Sequence, residues 1–294
     1  MNETHCTVGA VTISRVTEQV GPGFPPEFLF PDWDPAVLDE GGDWTRTTLD
    51  PASGLFIASI HSWIVRIGDK IALIDTCAGN DKPRPGIPRF HMLDTPFLDR
   101  LAAAGVTPEQ VDYVLCTHLH ADHCGWNTRL LDGRWVPTFP NARYIFSRAE
   151  HDHWQDTQGE DELNTAVYQD SVLPVVAAGL ADLVDDDARI AGALQLRPTP
   201  GHTPGHVAVS IASQGATGLF TGDIMHQPAQ VVRPEWNSRF CVDADAARAS
   251  RLWALETAAE QRSTLFSAHF PQTSAGLVTR RGDRFGWTFA PFKG

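Results

Sequence analysis

Short runs of hydrophobic residues, most of them followed by a polar loop, recur along most of the chain. Residues 55–65 and 70–75 are rich in strand-forming residues and flank the turn pair Gly68-Asp69, which predicts a β-hairpin. Residues 95–104 instead carry their hydrophobic positions at helical spacing, so they predict a helix. Elements of both kinds therefore alternate in the first half of the chain.

The alternation continues through the second half. Ser147 and Glu150 form a capping-box pattern, which predicts the start of a further helix. Strands that end in polar or histidine-bearing loops indicate an α/β fold with a site along one loop edge. We expect strands at residues 111–116, 143–146, 190–196, 207–211, 218–221 and 264–268, and a long helix at residues 243–260.

One segment near the N terminus, at about residues 17–52, breaks this pattern because it is crowded with proline and glycine. We expect an irregular arm there. Its apolar residues, among them Phe24, Phe30 and Trp33, predict that the arm packs on its own domain or across the subunit interface of a homodimer. One core is the default for layered folds of this length, so residues 1–294 are predicted to form a single domain.

The composition narrows the possible partners and the compartment. A formal net charge of -13 repels nucleic-acid phosphates and anionic membrane surfaces, so a neutral or cationic small molecule is expected as substrate. The five cysteines are scattered and form no C-x-x-C pair, which indicates a reducing compartment. Because no apolar stretch has the length of a signal peptide or a membrane span, we predict a cytoplasmic protein.

The strongest chemical signal is the sequence His118-Leu119-His120-Ala121-Asp122-His123, directly after a predicted strand. Two imidazoles two residues apart project to one side of an extended chain and can bind one ion. Histidines satisfied by ordinary hydrogen bonds are the alternative, but the clustering favours metal ligands. Four candidate ligands exceed the needs of one tetrahedral ion with an open position, which indicates a second metal. Imidazole and carboxylate together suit zinc best.

Three more candidate ligands, His202, Asp223 and His269, each lie where a predicted strand passes into a loop. Together with the first motif they give an order that resembles the metallo-β-lactamase superfamily over roughly residues 55–270. The resemblance implies an αββα four-layer sandwich with two Zn²⁺ per chain, although Mn, Co or Fe is possible. It assigns His118, His120 and His202 to the first metal, Asp122, His123 and His269 to the second, and Asp223 to both.

Two neighbouring residues complete this expected site. His206 lies in the same Pro/Gly-rich loop as His202 and is its rival as a ligand, but the family pattern favours His202 and leaves His206 a structural hydrogen-bonding role. Asp75 either orients a ligand imidazole from outside the metal site or simply caps a turn.

The expected mechanism is hydrolysis by a hydroxide that bridges two metals and attacks an ester-like bond. Asp122, Asp223 and His226 are the expected catalytic residues, with Asp122 also relaying a proton to the leaving group. The chain looks most like the branch that contains acyl-homoserine lactonases and methyl parathion hydrolase. Lactonases of that branch carry Tyr where this chain has His226, which shifts the expectation toward phosphotriesters or aryl esters.

Aromatic residues near the ligands are candidates for an apolar substrate pocket or for ordinary core packing. Other activities on the same scaffold stay open: a β-lactamase, a thioesterase of the glyoxalase II kind, or an iron-dependent oxidoreductase. A non-catalytic binding protein is a further class, but it has little use for a complete two-metal ligand set. The candidate pocket residues are Trp126, His226, Trp236, Phe240 and Phe270.

Overall fold

The structure is a computed structural model, described here for residues 5–40, 42–185 and 187–293. The described residues form two seven-stranded sheets and one separate hairpin. The strands are β1 His5–Val8, β2 Val11–Pro22, β3 Ile57–Ile67, β4 Lys70–Ile74, β5 Tyr113–Leu115, β6 Thr128–Leu131, β7 Arg134–Pro137, β8 Arg143–Ser147, β9 Ala181–Val184, β10 Arg189–Ile190, β11 Leu194–Pro198, β12 Val207–Ser213, β13 Ala216–Phe220, β14 Thr264–Phe266, β15 Ala275–Arg281 and β16 Arg284–Phe289.

The first sheet has the order β1-β2-β3-β4-β5-β8-β9. The predicted hairpin is confirmed, since β3 and β4 pair antiparallel, with Ile67 opposite Lys70 at the turn. From β4 onward the neighbours are parallel, so the carboxyl ends of β4, β5 and β8 lie at the same edge. That edge receives the loop that carries the histidine motif.

The second sheet runs in chain order from β10 to β16, and β13 and β14 are its parallel pair. The predicted strand at residues 190–196 was wrong as a single element. The chain turns there between β10 and β11, which pair antiparallel. Ala191 and Gly192 both have positive φ at this turn, a conformation that ends a strand.

The helices lie outside the sheets and complete an αββα sandwich. One apolar core fills the space between the sheets, a second lies under the helices of the first sheet, and a third lies under the helices of the second sheet. The α-helices are α1 Pro26–Leu29, α2 Phe97–Ala103, α3 Arg148–Asp156, α4 Glu162–Val167, α5 Leu173–Ala177, α6 Ala229–Val232 and α7 Ala244–Gln261, with a π-helical turn at Tyr168–Val172.

Helix α7 shows how local signals fix an element. Asp243 is its N-cap residue and accepts hydrogen bonds from the backbone of Asp245 and Ala246, which satisfies free donors of the first turn. Arg262 ends the helix in a left-handed conformation. Among the helices of the described residues, none combines the length and the apolarity that a membrane crossing needs.

The arm begins later than its sequence predicted. Residues 17–22 belong to β2, where a bulge between Thr17 and Gln19 maintains pairing with β3, so the irregular segment starts at Gly23. From there the chain forms α1 and short 3₁₀ turns, and Phe30 and Trp44 are buried in the core of the second sheet. The arm therefore packs on its own domain, and the homodimer stays a prediction.

Candidate metal centre

The seven candidate ligands meet at one edge of the sandwich. The histidine motif follows β5, and His269 follows β14. Asp223 lies in a short 3₁₀ turn after β13, and His202 lies between β11 and β12. Because parallel strands deliver their carboxyl ends to one edge, loops distant in sequence become neighbours. Both sheets thus contribute ligands to one site.

The first cluster consists of His118, His120, His202 and Asp223, whose potential ligand atoms all lie within 4.8 Å of one another. His120 Nδ1 is 3.0 Å from His118 Nε2 and 2.9 Å from His202 Nε2. Asp223 Oδ2 lies 3.3 Å from His202 Nε2 and 3.8 Å from His118 Nε2. Three imidazoles and one carboxylate oxygen therefore converge on one point.

The second cluster consists of Asp122, His123 and His269. The two imidazole Nε2 atoms are 3.2 Å apart. Asp122 approaches them with Oδ1 at 3.8 Å from His123 and Oδ2 at 3.7 Å from His269. The side chain of Asp122 is 17% exposed, whereas the two histidines are nearly sealed from solvent.

Asp223 lies between the two clusters and presents one carboxylate oxygen to each. Oδ2 faces the first cluster, and Oδ1 lies 3.3 Å from His123 Nε2 and 2.9 Å from His269 Nε2. The structure thus brings the seven sequence-predicted ligands together in the grouping that the resemblance implied.

The pKa shifts differ between the two clusters. Burial opposes protonation of His123 and His269, but the carboxylates around them, Asp223 foremost, raise the pKa of both. The first cluster shows the opposite shift. Burial lowers the pKa of His118 and His202 well below the usual imidazole value and that of His120 to about 4, so each ring offers a lone pair. Burial opposes ionisation of Asp223, but the imidazoles around it, His269 foremost, hold its pKa well below the usual value. A divalent cation bound between these ring nitrogens would coordinate their lone pairs.

Asp75 and Thr117 support this edge from below. Asp75 Oδ2 accepts a hydrogen bond from His123 Nδ1 at 2.9 Å, and Oδ1 accepts one from the Thr117 backbone at 2.7 Å. Asp75 adopts a left-handed backbone with φ 56°, uncommon for a residue other than glycine. Of its two predicted roles, the structure supports the orientation of a ligand imidazole.

His206 makes structural hydrogen bonds. Its Nε2 accepts from the Asp223 backbone at 3.0 Å, and its Nδ1 donates to Thr199 Oγ1 at 2.9 Å. Gly222 permits this arrangement, because a Cβ there would lie 2.6 Å from both His206 Nε2 and Thr117 Oγ1. His206 thus positions the turn that carries Asp223, while His202 faces the other residues of the first cluster.

A cavity of 370 Å³ opens above the clusters. Its wall is mostly apolar, which suits a neutral ligand with an apolar part. Two predicted pocket residues, His226 and Phe240, line it, and His226 Nε2 is 3.3 Å from Asp223 Oδ2. Most of the other wall residues are far from the candidate ligands in sequence, so the sequence did not identify them. Among them are Phe24, Leu29, Phe56, Ile60, Ile87, Arg89, Phe90, Trp154 and Leu163.

The other three predicted pocket residues are buried elsewhere, so that part of the prediction is corrected. Trp126 stacks on Phe97 at 5.2 Å beneath the first sheet. Trp236 and Phe270 belong to the core of the second sheet, where Phe270 packs edge-on against Trp287. Each follows a ligand in sequence, but its side chain turns toward the apolar core because that burial is more favourable.

The predicted capping box is also corrected. Ser147 occupies the N-cap position of α3, but its side chain makes no capping hydrogen bond. The Glu150 carboxylate extends away from that position and accepts hydrogen bonds from Leu119, Thr203 and Gly205, which belong to the loops of the candidate ligands. The start of the helix was predicted correctly from a pair of residues that does not cap it.

A buried group of three charged side chains joins two walls of the cavity. Arg84 donates two hydrogen bonds to Asp170, at 2.8 and 2.7 Å, and Lys82 Nζ lies 3.4 Å from the same carboxylate. Lys82 and Arg84 precede the wall residues 87–90, and Asp170 lies in the π-helical turn that follows the wall segment 161–164. This group therefore fixes one wall against the other.

Comparison with known proteins agrees with this geometry. The model of the family described as "Metallo-beta-lactamase superfamily" matches residues 57–269. An N-acyl homoserine lactonase from a Bacillus species is 29% identical over 114 residues, which cover 39% of this chain and 38% of that protein. The probable metallo-hydrolase YybB of Bacillus subtilis (strain 168) is 27% identical over 185 residues, which cover 63% of this chain and 70% of that protein.

Solved structures resemble the whole fold. The hydrolase AbOPH, of the beta lactamase superfamily, superposes with a TM-score of 0.82 at 26% identity and covers 99% of this chain and 98% of its own. The dizinc quorum-quenching lactonase AidC, in complex with a product, superposes with a TM-score of 0.78 at 21% identity over the same shares. At that identity the likeness to AidC concerns the fold.

Proposed function

The chain belongs to the metallo-beta-lactamase superfamily, and from this premise we propose that it is a dinuclear metal-dependent hydrolase of an ester-like bond. The substrate in this proposal is a neutral small molecule with an apolar part, namely a lactone, an aryl ester or a phosphotriester. The proposed ions are two Zn²⁺ per chain.

One observation supports this proposal above the others. Asp223 directs its two carboxylate oxygens to two separate ligand clusters, at 3.3 Å from His202 and 2.9 Å from His269. A single ion needs only one of these clusters, so a shared carboxylate argues for a pair. When bound, two such cations polarise a substrate oxygen and lower the pKa of a water molecule toward neutrality.

In this proposal two side chains of the protein act on the substrate directly: one handles a proton and the other orients the substrate. Asp122 is the most solvent-accessible of the three second-cluster residues and lines the cavity, so it is the residue placed to hold a proton for the leaving group. Neither ring nitrogen of His226 hydrogen-bonds to another described residue, although both are buried beside the cavity. We assign His226 to contact with a polar oxygen of the substrate, which would satisfy one of these nitrogens.

The cavity supports the proposed substrate class. Apolar side chains make up most of its wall, and Arg89 is the cation among the lining residues. The similar proteins also support it, because one is an N-acyl homoserine lactonase and the structural neighbour AbOPH is a hydrolase. A volume of 370 Å³ accommodates a small ester with one apolar substituent.

The test compares the wild type with Asp223→Ala and with the control Asp99→Ala, an exposed acid of α2. Metal content is measured by elemental analysis, and hydrolysis is measured on homoserine lactones, simple lactones, aryl esters, phosphotriesters and a β-lactam. We expect two zinc ions per chain in the wild type and the control, and loss of zinc and of hydrolysis in Asp223→Ala. Full turnover after exhaustive chelation would refute the proposal, and iron with visible colour would favour the oxidoreductase alternative.

A further inference from the structure

Glu150, at the start of α3, has its carboxylate buried between two ligand loops, and only 1% of the residue is exposed. Oε1 accepts hydrogen bonds from the Leu119 backbone at 3.0 Å and from Trp154 Nε1 at 2.7 Å. Oε2 accepts hydrogen bonds from Thr203 Oγ1 at 2.7 Å and from the Gly205 backbone at 3.1 Å. Four donors therefore satisfy a charge that would otherwise be costly to bury.

The donors belong to the two loops that carry the histidines of the first cluster. Leu119 separates His118 from His120 on the loop after β5, in the first sheet. Thr203 directly follows His202, on the loop between β11 and β12 in the second sheet. One carboxylate therefore links the two sheets at the point where three imidazoles must meet.

We propose that Glu150 is a positioning residue that sets the spacing of the three first-cluster histidines and thereby the affinity of that cluster for a divalent cation. The inference rests on the metal site of the proposed function. It assigns Glu150 no contact with substrate or with the ion. Residues that orient metal ligands from outside typically change metal affinity about 10- to 100-fold when they are mutated.

The close approach of the second loop to α3 supports this role. A Cβ added to Gly205 would lie 2.1 Å from the Glu150 backbone nitrogen, so the loop lies directly against the start of the helix. A carboxylate that only capped the helix would accept hydrogen bonds from the start of that helix. Glu150 instead accepts two hydrogen bonds from a loop of the other sheet. The carboxylate therefore holds two loops together.

Glutamine is the informative replacement because it keeps the shape of the side chain. Three of the four donors are N–H groups, on Leu119, Trp154 and Gly205, and an N–H cannot accept a hydrogen bond. Whichever way the amide turns, its NH₂ group therefore meets at least one N–H donor. Glu150→Gln should loosen the link between the loops without leaving a large cavity.

Glu18 offers a matched control. It is 3% exposed and accepts hydrogen bonds from the Ala78 backbone at 2.9 Å, the Gly79 backbone at 3.1 Å and Trp126 Nε1 at 2.6 Å. Glu18→Gln creates the same conflict between N–H groups, but none of its donors is next to a first-cluster histidine: Ala78 and Gly79 follow β4, and Trp126 lies in a separate 3₁₀ turn beyond His123. Comparing the two variants separates a general loss of stability from an effect on one metal site.

The experiment titrates Zn²⁺ into metal-free protein in competition with a chromophoric chelator. The variants His202→Ala and His269→Ala identify which of the two dissociation constants belongs to which cluster. We expect Glu150→Gln to raise the dissociation constant of the first cluster about 10- to 100-fold, and Glu18→Gln to leave that constant unchanged. Circular dichroism confirms that each variant is folded.

Two results would overturn the inference: a folded Glu150→Gln protein whose first-cluster constant stays within about two-fold of the wild type, or an equal rise in Glu18→Gln. Should Glu150→Gln fail to fold, Thr203→Val removes one donor and should raise the same constant about two- to ten-fold, and no rise would likewise overturn it. A wild type that binds no zinc would refute the proposed function and this inference together. Two zinc ions bound equally by wild type and variant would refute only the role of Glu150.

Discussion

Replacing Lys82 by Met should make the stability of the protein depend on pH in a defined way. Lys82 is fully buried beside Asp170, and its ammonium group donates a hydrogen bond to Thr128 and lies 3.8 Å from the ring centroid of Trp135. Burial lowers its pKa from 10.5 to about 8, although Asp170 partly opposes the shift. At neutral pH the folded protein therefore holds this charge against a desolvation penalty.

The size and sign of the effect follow from linkage. A fall in pKa from 10.5 to about 8 corresponds to about 3 kcal/mol against the charged form in the folded state. Between these two values the unfolded chain binds more protons than the folded one, so the penalty fades as the pH rises. Methionine removes the penalty at every pH but also removes the hydrogen bond and the ring contact, worth about 1 kcal/mol each. Lys82→Met should therefore be as stable as the wild type or more stable at pH 7, and less stable at pH 10.5.

Urea unfolding at pH 7 and at pH 10.5 measures this difference. We expect the free energy of unfolding of the wild type to gain about 3 kcal/mol relative to Lys82→Met between the two pH values. Lys70→Met is the control, because Lys70 is 44% exposed and its hydrogen bond with Asp112 raises its pKa. Its difference from the wild type should move in the opposite direction. A pH-independent difference for Lys82→Met would refute the reasoning.

Three further predictions concern the site. Asp75→Asn should weaken zinc binding at the second cluster about 10- to 100-fold by chelator competition, because Asp75 orients an imidazole there; unchanged binding would contradict it. Gly205→Ala should lower the free energy of unfolding by about 2 kcal/mol, since its Cβ would clash with Glu150, whereas Gly86→Ala, in open space, should not. Phe240→Ala should raise KM for the best ester substrate about ten-fold with kcat and zinc content unchanged, and a fall in kcat alone would argue against a binding role.

The elements that sequence predicted well depend on local signals. The hairpin of β3 and β4 and the start of α7 after Asp243 both arise from residues adjacent in the chain. The histidine motif is also local, so its four candidate ligands could be recognised from spacing alone. The roles of His202, Asp223 and His269 came from the family resemblance, because no local pattern shows which distant loops will meet.

The rest depends on which way side chains turn in the folded protein. Trp126 and Phe270 were candidates for the pocket because each stands close to a ligand in sequence, but both are buried in the core. Glu150 resembled a capping residue, and only the folded structure brings the second loop to its carboxylate. The arm supplies Phe24 and Leu29 to the cavity, although both lie about ninety positions before the histidine motif, a distance over which no periodicity carries information.

The candidate ligands of each cluster come from both sheets, so metal binding at either cluster would require an assembled sandwich. His118 and His123 extend from the first sheet, while His202, Asp223 and His269 extend from the second. The histidine motif is present in the unfolded chain, but the complete set of candidate ligands forms only after the two sheets have packed together. If the proposed ions bind, a tightly bound ion would therefore indicate a fully folded molecule, and a chelator should extract metal first from molecules that have unfolded.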